Sequence, residues 1–115
     1  MSIDVTWRQE AGVLVGAIQG RIDSSHAMDF LNLVDGKLTL NDTRLVLDFE
    51  GVGFISSAGL RACLIVARRF SASDRKFGIC GLSQFNRDIM SVSGFDQLIT
   101  VYETQAVAVG AVQDS

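Results

Sequence analysis

Several residues in this chain are of types that could do chemistry. The one histidine, His26, follows Asp23 by three positions, and Ser57 lies further on, so the parts of an acyl-transfer triad are available if folding assembles them. His26 also stands just after two serines suited to capping a helix, where an imidazole facing water needs no catalytic role. Gly51-Val52-Gly53 separates an apolar run from a helical one, the place a nucleotide loop would occupy. The third glycine of a dinucleotide fingerprint and the lysine of a phosphate loop are both missing, so these glycines read as a sharp turn. Asp48 and Glu50 are neighbours without a third group to make them an acid–base pair. Cys63 and Cys80 belong to no Cys-x-x-Cys pair and read as small buried apolar residues. Neither a metal nor a cofactor is expected.

The most informative residues are Ser56 and Ser57, two hydroxyls between a strand-like run and a helix. One hydroxyl suffices as a cap. Phosphorylating the other would add roughly −1.5 to −2 charges at a helix amino end, where free N–H groups and the dipole tolerate an anion. The fold could survive the modification while an acidic or apolar partner surface would be repelled. Spacing alone leaves a second reading open, in which both serines only cap and turn.

The elements that must position these residues follow from periodicity. Ile3, Val5 and Trp7 alternate with polar neighbours, Ala11-Gly12 can turn, and Val13 to Ile18 is apolar, which predicts a hairpin. Beyond Gly20-Arg21-Ile22-Asp23, Ser24 or Ser25 can cap a helix carrying Ala27, Phe30, Leu31 and Val34 to about Lys37. Asn41 to Thr43 reads as a loop, Arg44 to Phe49 as a central strand, and Glu50 to Ile55 as a short loop. Ser56 or Ser57 then opens a helix with Leu60, Cys63, Leu64, Ala67 and Phe70 inside and Arg61, Arg68 and Arg69 outside. Lys76 to Cys80 is a strand, and Ser83 opens a helix carrying Phe85, Ile89 and Val92 that Gly94 ends. Ile99 to Tyr102 is the last strand, and Thr104 caps a helix through Val112. The order β-β-α-β-α-β-α-β-α, about five strands and four helices, predicts an α/β fold with a mostly parallel sheet and the first strand at an antiparallel edge.

The 115 residues fit one domain, read as spanning 1–115, and 48% hydrophobic with 20% charged residues is a globular composition. A net charge of −3 gives no basis for nucleic-acid binding. The cluster Arg61, Arg68, Arg69, Arg75 and Lys76 reads as a solvated helix face and exit loop. No apolar run approaches the ~20 residues of a membrane span. Met1 to Trp7 has no basic region followed by an apolar stretch, so a cytoplasmic protein is expected.

Phe54-Ile55-Ser56-Ser57-Ala58-Gly59-Leu60-Arg61 resembles the phosphorylation-site signature of STAS domains, the sulphate-transporter and anti-sigma-factor-antagonist family. Gly20 to Asp23 resembles that family's lead into its first helix, Arg44 to Val52 its central strand and turn, and Ser93 to Ile99 the stretch before its last strand. The resemblance implies an anti-sigma factor antagonist, not an enzyme, whose unphosphorylated form binds an anti-sigma factor that is also an ATP-dependent serine kinase. Phosphorylation releases it and a PP2C-type phosphatase restores it. Carried onto this chain, the acceptor is Ser57, with Ser56 the alternative, and the contact surface is Asp23, Ser24 and Ser25 with Ser56, Ser57, Ala58, Gly59, Leu60 and Arg61. Ser56 stands where many members have aspartate, and Arg21 where many are acidic. A non-phosphorylated STAS subunit of a larger assembly, such as a lipid-transport or stress-signalling complex, is the other role the resemblance implies. An exposed edge strand would also allow a homodimer.

Overall fold

The computed structural model describes residues 3–39 and 41–113. Met1 and Ser2, the start of the stretch read as lacking a leader, lie outside them. The elements run β1 (Asp4–Glu10), β2 (Val13–Ile22), α1 (Ala27–Lys37), β3 (Arg44–Ile55), α2 (Ser57–Ala72), β4 (Lys76–Cys80), α3 (Gln84–Ser93), β5 (Val101–Tyr102) and α4 (Gln105–Gln113), in the expected order. A short 3₁₀ turn, Phe95–Gln97, precedes β5.

The strands form one sheet in chain order, β1-β2-β3-β4-β5, antiparallel between β1 and β2 and parallel elsewhere. Ala11 at φ 52° and Gly12 at φ 82° turn the first hairpin. A tight two-residue hairpin asks for positive φ at both positions, and only the glycine adopts it without strain.

Because helices lie on both faces, the inner strands are apolar without alternation, as in Val13-Leu14-Val15 and Leu45-Val46-Leu47. On one face Phe30, Leu31 and Val34 of α1, Leu60, Cys63 and Phe70 of α2 and Met90 of α3 pack on Leu14, Ile18, Leu45, Leu47 and Ile79. On the other, α4 alone sets Ala108, Val109 and Val112 against Val13, Val15, Val46 and Cys80. The two thiols are thus buried in separate cores on opposite faces. Burial pushes Cys63 up to about 12 and, joined by the Asp48 and Glu50 charges, Cys80 up to about 12. Neither is poised as a nucleophile.

Three expectations fail here. Glu50 to Ile55 is not a loop: β3 continues through it, paired with β2 as far as Ile22 opposite Ile55. The turn at Gly51-Val52-Gly53 is therefore absent. Gly51 is needed because a β-carbon there would lie 2.6 Å from the Ile18 carbonyl oxygen, where the β2 register shifts between Ala17 and Gln19. The last strand contracts to Val101–Tyr102, with Ile99 buried ahead of it. Along α3, two of the three residues taken as its apolar marks turn outward: Phe85 is 59% and Val92 91% exposed, while Ile89 is half-buried against the core and Asn86 and Met90 face in. The β3 extension moves the start of α2 to the rim of the sheet.

Candidate functional site

Two connections leave the sheet side by side where β2 and β3 end, the edge at which open α/β sheets present their sites. Ile22 and Ile55 are register partners, and the Ser56 N–H donates to the Ile22 carbonyl at 2.8 Å. The Asp23–His26 turn and the start of α2 are thereby held as neighbours.

Ser56 is extended, and its Oγ accepts from the Gly59 N–H at 3.2 Å. Its hydroxyl is thus committed to the cap, and Ser57, the first helical residue, is exposed. The N–H groups of Ser57 and Ala58 belong to the first turn, where a helix supplies no acceptor of its own. That turn contains no acidic residue. Gly59 lets the helix sit this low on the sheet: a β-carbon would meet Ile22 Cγ2 at 2.7 Å, Ile55 Cγ1 at 2.8 Å and the Ile22 carbonyl oxygen at 2.9 Å.

The neighbouring turn is built around a carboxylate. Asp23 Oδ1 accepts from the Ser25 N–H at 3.0 Å, the Ser25 hydroxyl at 2.7 Å and the His26 N–H at 3.2 Å, and lies 2.7 Å from His26 Nδ1. These bonds, the Ser25 hydroxyl first and His26 next, lower its pKa to about 2. Neither Ser24 nor Ser25 caps α1, as their sequence suggested. His26 is the N-cap residue and makes no side-chain cap bond, while the carboxylate of Asp23 orders the entry. Ser25 Oγ, at 3.3 Å, and Asp23 Oδ1 approach the same nitrogen, Nδ1. Sharing that nitrogen, Ser25 is not placed as the hydroxyl of a triad, which needs hydroxyl and carboxylate on opposite ring nitrogens.

Of the contact residues taken from the sequence, Ser24, Ser25, Ser57 and Arg61 are exposed and Asp23, Ser56 and Ala58 half-buried. Gly59 and Leu60 are buried, so they shape the backbone under the surface. Sequence reasoning missed Asn86. Fully buried, it accepts from the Ile55 N–H at 3.3 Å and donates to the Val52 carbonyl at 3.2 Å, satisfying the edge of β3 where β4 no longer pairs with it. Its one signal was its place three residues after the Ser83 cap, one helical turn before Met90 on the inward face. Asp48 lies within β3 and takes bonds from the Glu50 N–H at 3.0 Å and Gln105 Nε2 at 2.8 Å. It ties α4 to the sheet.

A five-stranded, mostly parallel sheet with an antiparallel strand at one edge and helices on both faces defines the fold, and comparison with known proteins names the family. The family described as "Mlab, STAS domain" matches residues 3–100, and this chain belongs to the STAS domain family. Among curated relatives it is 29% identical to BtrV of Bordetella bronchiseptica, provisionally named an anti-sigma factor antagonist, over 87% of this chain and 86% of that protein. Among solved structures, an anti-sigma factor antagonist from Mycobacterium paratuberculosis superposes with a TM-score of 0.88 at 25% identity, over 98% of this chain and 96% of that one. The Bacillus antagonist SpoIIAA in its unphosphorylated form shares the fold, with a TM-score of 0.76 at 17% identity over 97% of this chain and 98% of that one. Among the described residues no helix is long and apolar enough to cross a membrane.

Proposed function

We propose that this chain is an anti-sigma factor antagonist that docks on an anti-sigma factor with serine kinase activity and is released when Ser57 is phosphorylated. The single observation that carries the reading is the division of labour between two adjacent hydroxyls: Ser56 is spent on the cap, and Ser57 is open to solvent on the first turn. Its relatives named as antagonists support the partner class.

In this reading Ser57 is a substrate. The kinase brings the ATP, and the Ser57 oxygen takes the γ-phosphoryl group as ADP leaves and the hydroxyl proton passes to a base of the kinase. The product carries about two negative charges where the helix dipole tolerates them and a docked partner does not. A PP2C-type phosphatase returns the hydroxyl by hydrolysis. Asp23, Ser24, Ser25 and Arg61 complete the contact surface.

Incubation with the cognate kinase and ATP should place one phosphate on Ser57, read by mass spectrometry of the peptide. Ser57→Ala should end labelling and keep the fold; labelling that persists there, on Ser56, would reassign the acceptor. Ser57→Asp should weaken kinase binding, and an unchanged Kd would defeat the charge mechanism. Recovery of the native protein with membrane transport subunits and no kinase would replace this reading with that of an assembly subunit.

A further inference from the structure

Within α2 a cation stands where the phosphate gained by Ser57 would reach it. Arg61 follows Ser57 by four residues in one helix, so the two side chains share a face, with β-carbons about 5–6 Å apart. Both residues are exposed. Long helical side chains lean back over the preceding turn, which for Arg61 is the turn that holds Ser57. The other residues one turn away, Ala58, Leu64 and Ile65, are apolar, and among the described residues the Arg61 guanidinium takes part in no ion pair. Arg69, two turns on, is by contrast held by Asp35.

We infer that Arg61 is the internal partner of a phosphate on Ser57: after phosphorylation the guanidinium pairs with it one turn away, on the same helix. The inference rests on the reading of Ser57 given above and adds what the modification does within the domain. One event then changes the docking surface twice, because a dianion appears and the cation that faced the kinase is withdrawn. Ser56 does not fit this role. It stands five residues before Arg61, outside the helix at φ −84° and ψ 172°, and its oxygen accepts from the Gly59 N–H. The helix amino end favours a phosphate whether or not Arg61 is there, so the pairing is the part that Arg61 alone supplies.

Phosphoserine incorporated in translation in place of Ser57 makes the test independent of the kinase, and phosphorus NMR follows its second ionisation, ordinarily at about pH 6. Pairing favours the dianion, so Arg61→Gln should raise that pKa by about 0.3, and Arg61→Lys should restore most of the difference. The Arg61 Nε–H resonance should also move between the unmodified and phosphorylated proteins. Arg68→Gln is the control: Arg68 is exposed on the same side of α2, about 16 Å from Ser57 along the axis and beyond a Debye length, and its loss should leave the titration unchanged. Equal titration of wild type and Arg61→Gln, or an equal rise in Arg68→Gln, would overturn the pairing and leave the Ser57 reading standing. Failure of the kinase to label Ser57 in the wild type would overturn both.

Discussion

The starts of α1 and α2 lie side by side at one edge of the sheet, yet one is ordered by a charged group and the other by a neutral one. At α1 a carboxylate does the work: Asp23 Oδ1 gathers the Ser25 and His26 N–H groups, the Ser25 hydroxyl and the His26 ring. At α2 a neutral hydroxyl does it, Ser56 accepting from Gly59, with no acidic residue in the first turn. Both starts carry an exposed serine, but a phosphate on Ser24 or Ser25 would share its turn with the Asp23 carboxylate, while the first turn of α2, where Ser57 sits, holds no acidic residue and offers helix N–H groups. The difference teaches why one serine among several is fit to gain charge without unsettling the fold.

The comparison can be broken most forcefully at Gly59. A methyl group there has two branched side chains and a carbonyl within 3 Å, so Gly59→Ala should destabilise the chain by about 3 kcal/mol, the upper end of overpacking, in urea unfolding. Asn86→Ala comes next. It strands the Ile55 N–H and Val52 carbonyl in a buried site, and a loss of about 2 kcal/mol should accompany faster amide exchange at Ile55. Ser56→Ala should cost about 1 kcal/mol, the usual worth of a hydroxyl cap, while Ser57 remains a phosphorylation substrate. The smallest effect lies at α1. Asp23 titrates at about 2 when folded, below its ordinary value, so its charge stabilises the fold above about pH 4 and that contribution fades as pH falls through the folded value. The stability gap between wild type and Asp23→Asn should therefore close between about pH 4 and pH 2, and should narrow with added salt because the group faces solvent.

The architecture was legible because its signals are local and repeated. Helical spacing at Phe30, Leu31 and Val34, the Ser83 cap with Gly94 at φ 79°, and the Thr104 hydroxyl accepting from the Val107 N–H all appear as read. The site was legible in part. That Ser56 or Ser57 caps α2 follows from composition, but the choice between them depends on which residue reaches the Gly59 N–H, and that is set by where β3 ends. The end of β3 was misread because Gly51 and Gly53 look like a turn until the bulged β2 is beside them. The apolar residues of α3 misled for a related reason: periodicity finds a stripe and does not say which way it faces.

What the sequence determined by itself is the succession of strands and helices and the presence of two hydroxyls before α2, since turn, cap and periodicity signals act within a few residues. Only the tertiary structure decided that Ser57 stands open while Ser56 is engaged, that Asn86 rather than an apolar residue of α3 joins the core, and that Phe85 and Val92 are left outside. Those outcomes depend on contacts between residues thirty or more positions apart, Asn86 with Ile55 and Gly59 with Ile22, whose close packing no local pattern encodes.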